Sequence, residues 1–246
     1  MRCLLLLLLV LGAAQAEILR VPEDHAGIQA AFDASQEGDT VLVSRGSWTE
    51  LLESPVHSIL FCSQFLFSQD STDIVETVLD GQYAGTILNV NTLTPGMLTV
   101  TGFTFYRGQG QQTDIYAYCD RAAAVNMQAD VSATLTDLVF ADCRAPRTSS
   151  VLFMGGLCSG SRVNGSLIIR NIYCRGCEVY PEFEATAGSE AIVIRMNYGS
   201  LIIDGFQWDG GGRRMSVIDP YCRFLDTLAF ANARLFNCNG SKTYWS

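Results

Sequence analysis

Five segments of the chain carry one pattern: MLTVTGFTFYRG (97–108), ATLTDLVFADC (133–143), SLIIRNIYCRGC (166–177), SLIIDGFQWDG (200–210) and LAFANARLFNC (228–238). Aligning Val100, Leu135, Ile169, Ile203 and Phe230 gives steps of 35, 34, 34 and 27 residues. Between them lies a second apolar type, AAAVNM (122–127), VLFM (151–154), AIVIRM (191–196) and SVI (216–218). A unit of this size buries only one face, so its copies must stack into a continuous core. Short strands joined by Gly, Asn and Asp fit an all-β solenoid better than a sandwich. A sandwich needs hairpin signals, and the few Asn-Gly pairs do not join alternating strands.

The alignment makes further expectations. Gly102, Asp137, Asn171, Gly205 and Asn232 share one corner position, and these residue types tolerate left-handed backbone. Phe105, Phe140, Cys174 and Trp208 share an inner position and read as a core ladder. Stretches 106–121, 141–149, 174–190 and 209–214 vary in length and leave from one side, which makes that side the expected working surface. Ahead of the repeats, an apolar segment runs from Ser58 to Phe67 and SQDSTDIVE (68–76) reads as a polar turn.

The first stretch after the N-terminal leader is RVPEDHAGIQAAFDASQEGDTVLVSRGSWTE (20–50). Ile28, Ala31 and Phe32 recur at helical spacing, Gly38-Asp39 breaks the helix, and Val41-Leu42-Val43 reads as a buried strand. A helix over 28–35 is marginal alone and must lie on that strand. The segment resembles the opening of right-handed parallel β-helix proteins of the pectin-lyase-like superfamily, V-P-x-D-x-x-x-I-Q-A-A-I-D-A-A-x-x-G-D-T-V-L-V-x-x-G-x-Y-x-E. Trp48 takes the aromatic slot, and Arg45 stands where Pro is commoner. Thr77-Val78-Leu79-Asp80-Gly81 and Thr86-Ile87-Leu88 are also similar to segments that follow the first coil in that family. The resemblance implies a right-handed, single-stranded parallel β-helix of roughly seven to nine coils over 17–246, capped by the short α-helix. Its closest likeness is to secreted bacterial members, so Asn164-Gly165-Ser166 and Asn239-Gly240-Ser241 read as Asn-Gly turns. The chain ends at Ser246, just after a repeat strand, with no segment expected to seal the last coil.

Residues 1–16, MRCLLLLLLVLGAAQA, read as a secretory signal with an A-x-A cleavage site, and its apolar run is too short to span a membrane. The expected product is secreted or held at the cell surface. Formal charge is −9, and losing Arg2 takes the mature chain to about −10. That argues against nucleic acid and anionic membranes as partners. It also suits a polyuronate poorly, unless calcium or clustered arginines mediate; otherwise no cofactor or metal is expected. Removing Cys3 with the leader leaves eight cysteines, an even number in an exported chain, which favours disulfides. Cys143 and Cys177 are one repeat apart and are the expected pair. Cys174-x-x-Cys177 lacks the second CxxC or His pair that a zinc site needs.

Reading the alignment sideways sets Arg170 beside Asp204, Arg175 beside Asp209, Arg144 beside Glu178 and Arg107 near Asp142. These read as cross-coil ion pairs rather than as a lyase site in which arginine takes a proton beside calcium. The catalytic sets of the resembled family are missing. There is no Asp-Asp or Gly-His-Gly, Arg144-Ala145-Pro146-Arg147 brings its second arginine two positions early for R-x-P-x-x-R, and no G-R-P-W accompanies Gly46-Ser47-Trp48-Thr49-Glu50. The favoured expectation is therefore a non-catalytic solenoid binding a polysaccharide, a cell-surface glycan or a protein partner through its loops. The candidate contacts are Tyr116, Tyr118, Asp120, Arg121, Tyr180, Asp209 and Arg213, aromatic faces beside groups that hydrogen-bond sugar hydroxyls. The alternative is a polysaccharide lyase, glycoside hydrolase or carbohydrate esterase.

Overall fold

A computed structural model describes residues 15–90, 96–112, 120–127, 130–145, 151–154, 163–179, 190–194, 196–209, 216–220 and 225–236. Strands dominate, and they run parallel. One large sheet stacks Ile18–Val21, Asp39–Val43, Ile59–Ser63, Met97–Thr101, Ser132–Ala141, Leu167–Arg175, Met196–Asp209 and Leu225–Ala231 in chain order. A second arm of the same sheet adds Gly46–Trp48, Thr77–Asp80, Thr104–Tyr106 and Arg234–Phe236. A six-stranded sheet stacks Leu52–Glu53, Leu88–Val90, Val125–Met127, Leu152–Met154, Glu190–Ile194 and Ser216–Pro220, again in chain order. The chain thus alternates between the two sheets, one pass after another, an arrangement compatible with a β-helix. Among the described residues no helix is long and apolar enough to cross a membrane.

The register is the one the repeat requires. Val100 pairs with Leu135, Leu135 with Ile169, Ile169 with Ile203, and Ile203 with Phe230. Each long strand changes phase at its corner: Leu135 and Leu138 are buried while Thr136 and Asp137 between them are not. Strict alternation would turn every side chain after the corner outward. One left-handed residue resets it, and Gly102, Asp137, Asn171, Gly205 and Asn232 have φ of 84°, 53°, 51°, 73° and 52°. Asn171 Nδ2 also donates to Asp137 Oδ1 at 3.0 Å, binding one corner to the next. The inner ladder follows: Phe105, Phe140, Cys174 and Trp208 are in register and buried, with the two phenyl rings stacked at 5.1 Å. At the Asn-Gly turn, Gly165 has φ 142°, and a Cβ there would meet the Val131 carbonyl oxygen at 1.8 Å. No other residue fits so close an approach.

Helix α1 (Ile28–Ala34) buries Ile28, Ala31 and Phe32 against Ile18–Val21, Asp39–Val43 and Leu52–Glu53. Phe32 meets Phe61 edge-on at 4.9 Å, which ties the helix to the core. Gly27 has no side chain to cap it. Glu50 does so from the next turn of chain, its two carboxylate oxygens accepting from the Ile28 and Gln29 amides at 2.9 Å each. Asp39 orders the Gly-Asp break by accepting from the Gln36 and Glu17 amides at 2.7 and 2.8 Å.

One expectation fails. The segment 68–76 is no plain turn: α2 (Phe65–Ser68) and α3 (Ser71–Glu76) follow the third strand. Asp70 caps α3 by accepting from the Thr72 amide at 2.9 Å. Buried Asp73 takes Arg45 Nε at 2.6 Å and the Ser68 hydroxyl, so Arg45 fastens this insertion to the first corner.

Candidate functional site

A second left-handed column marks where the chain leaves the large sheet. Tyr83, Arg107, Asp142 and Gly176 have φ of 57°, 52°, 50° and 61°. Their turns lie over one another through the Tyr83 amide to Arg107 carbonyl bond (2.7 Å), Gly81 amide to Tyr106 carbonyl (2.8 Å) and Gly110 amide to Arg144 carbonyl (2.6 Å). Gly108 permits this stacking, since a Cβ there would lie 2.2 Å from the Ala123 carbonyl oxygen. This is the edge from which the variable stretches depart.

Two aromatic–cation stacks stand on it. The Arg144 guanidinium lies 4.4 Å from the centre of the Tyr83 ring, and that of Arg107 lies 4.8 Å from the Tyr106 ring. Each arginine is also held by a carboxylate. Arg107 Nε donates to Asp80 Oδ1 at 3.0 Å and its Nη2 to Oδ2, while Arg144 Nε approaches Glu178 Oε1 at 3.1 Å. The latter contact is a charge pair without hydrogen-bond alignment, because Arg144 Nε has no hydrogen-bond partner among the described residues. Burial pushes the Asp80 carboxyl up, but Arg107 and the Gln82 amide outweigh it and hold the acid below its ordinary value. Burial pushes the Tyr83 phenol up, with Arg144 working against that shift and Asp142 with it. Among the described residues the edge therefore gathers Asp80, Asp142 and Glu178 around Arg107 and Arg144, with no surplus of positive charge.

The cross-pass pairings expected from spacing are partly realised as ion pairs. Arg144–Glu178 forms as expected. Arg107 stands next to Asp142 in the stack yet pairs with Asp80, on the pass before it. Arg170 and Asp204 are in register, as are Arg175 and Asp209, and Asp204 accepts from Asn232 Nδ2 at 2.7 Å.

Of the expected contacts, Tyr116, Tyr118, Tyr180 and Arg213 lie outside the described residues. Asp120 and Arg121 form a two-residue strand antiparallel to Gln111–Gln112, which sets them on this edge beyond Gly110. Arg121 is half-buried, and its Nε finds no hydrogen-bond partner among the described residues. Asp209 shares the Tyr106 column but stands three passes away, about 14 Å along the stack. Tyr83 and Asp80 belong to this edge without a signal in the repeat pattern. They precede the first clear repeat, so repeat spacing does not place them beside Arg107 and Arg144.

A serine–histidine contact elsewhere has a structural explanation. Ser35 Oγ lies 3.0 Å from His57 Nε2, but its hydrogen goes to the Phe32 carbonyl at 2.7 Å. The buried hydroxyl closes α1 and accepts from the imidazole, the reverse of what a nucleophile needs. Among the described residues no group of three or more His, Cys, Asp or Glu side chains is arranged to hold a metal ion. Comparison with protein-family models, curated proteins and solved structures finds no match for this chain.

Proposed function

We propose that this chain is an exported or cell-surface right-handed parallel β-helix of the pectin-lyase-like kind that binds a neutral glycan without turning it over. The observation that carries the reading is the pair of tyrosine–arginine stacks, Tyr83 with Arg144 and Tyr106 with Arg107, on the edge from which the variable stretches leave. Both arginines are already fixed, so a ligand meets ordered N–H groups and phenols at little further cost in side-chain entropy. Their charges are matched by Asp80 and Glu178, and the whole chain is acidic, which favours a polyhydroxyl ligand over a polyuronate. The missing catalytic sets of the resembled family favour retention over reaction.

The test is affinity electrophoresis of the purified chain through neutral and acidic polysaccharides, with reducing ends and unsaturated uronate followed in parallel. Retention by a neutral polymer, weakened about fivefold in Tyr83→Ala, without product, is expected. Retention confined to polyuronates, or any product, refutes the proposal and revives the lyase, hydrolase or esterase alternative.

A further inference from the structure

Cys143 and Cys177 occupy equivalent places one pass apart. Each directly follows the second left-handed column, Cys143 after Asp142 and Cys177 after Gly176. The residues after them are in register, Arg144 with Glu178, and the Glu178 amide donates to the Cys143 carbonyl at 2.8 Å. Their side chains point the same way: each Sγ approaches the carbonyl two residues back, Ala141 at 3.6 Å and Arg175 at 3.5 Å. Both are buried free thiols, and Cys143 is near enough to perturb the Cys177 thiol. Stacked parallel strands lie about 4.8 Å apart, inside the Cα separation that a disulfide spans. Cys174 differs. It belongs to the inner ladder, in register with Phe140 and Trp208, and its place along the pass matches neither thiol.

We infer that Cys143 and Cys177 are the two halves of an inter-pass disulfide that locks the Arg144–Glu178 rung, with Cys174 left as a core thiol. The bond forms by exchange with a small-molecule or protein disulfide. One cysteine thiolate attacks a sulfur of the donor and expels the first thiolate. The second cysteine then attacks the mixed disulfide and expels the other, so two cysteine thiols are oxidised as one donor disulfide is reduced to two thiols. Burial raises the Cys177 thiol well above its ordinary value, and Cys143 adds to that rise. Little thiolate exists once the pass is packed, so the bond forms while the chain folds. This staple does not depend on the glycan reading, and the oxidant in the test replaces any exporting compartment.

The chain is reduced in denaturant, refolded in a glutathione redox buffer, alkylated, and mapped by non-reducing peptide mass spectrometry. A parallel sample receives the same buffer only after reductive refolding. The expected result is a peptide joining Cys143 to Cys177, lighter by two hydrogens, abundant after oxidative refolding and scarce when oxidant meets the folded chain. Cys174→Ala retains it. Linkage of Cys143 to any other cysteine, alkylation of both Cys143 and Cys177 after oxidative refolding, or loss of the bond in Cys174→Ala overturns the inference. Equal yields in the two samples overturn the folding order.

Discussion

Replacing Glu50 by alanine removes the side chain that caps the N-terminus of α1. The helix is seven residues long, too short to persist without tertiary support, and its first two amides both donate to this one carboxylate. Loss of an N-cap costs about 1 kcal/mol, and the second charge-assisted bond with the favourable placement of negative charge at a helix N-terminus brings the total to about 2 kcal/mol. For a chain of this size that is a fall in Tm of about 4–8 °C. Glu50→Gln keeps one acceptor oxygen and is expected to fall about half as far. Calorimetry reads the global effect, and hydrogen exchange reads the local one, since the Ile28 and Gln29 amides lose their partners. An alanine variant that melts within about 1 °C of the parent, with both amides equally protected, refutes the capping role.

Two more perturbations separate backbone from side-chain effects. Asn171 holds φ 51° and bonds to Asp137, so Asn171→Ala is expected to cost about 2 kcal/mol, while Asn171→Gly keeps the backbone geometry and costs about 1 kcal/mol in urea unfolding. Equal losses would show that the corner conformation is unimportant. The Asp80 carboxyl is lowered in the folded chain, so its contribution is present at pH values above the unfolded-state carboxylate range and disappears as pH falls through the folded value. The stability gap between the parent and Arg107→Ala is therefore expected to be wide at neutral pH and to close in acid. A gap that is flat or widens on acidification contradicts the pairing.

Wherever the same physical requirement recurs at fixed spacing, the sequence makes it visible. The first left-handed corner of each repeat carries Gly, Asn or Asp, and the inward positions beside it carry mostly Val, Ile, Leu or Phe, so spacing alone sets Val100 through Phe230 in register; the second column, which holds Tyr83 and Arg107 as well as Asp142 and Gly176, has no such signature. Arg144–Glu178 followed from the same spacing. Features that occur once were harder to see. The Glu50 cap joins residues 22 apart with no repeat behind it, and α3 has so few apolar residues that Asp70 alone signals its start. Tyr83 meets Arg144 only because the pass before the first clear repeat stacks beneath it, a relation carried by backbone turns rather than by residue type.

The corner between Leu135 and Leu138 also limits how such a gene can lengthen. Copying 34 residues in tandem, as from Ala133 to Ser166, would set each duplicated side chain over its own image with both left-handed columns intact. Copying one residue fewer would hand the core a face of Thr134, Thr136 and Val139 and put Leu135 and Phe140 in water. Growth by recombination is thus quantised in whole passes along the strands, whereas the edge beyond Gly108 is free to accept segments of any length.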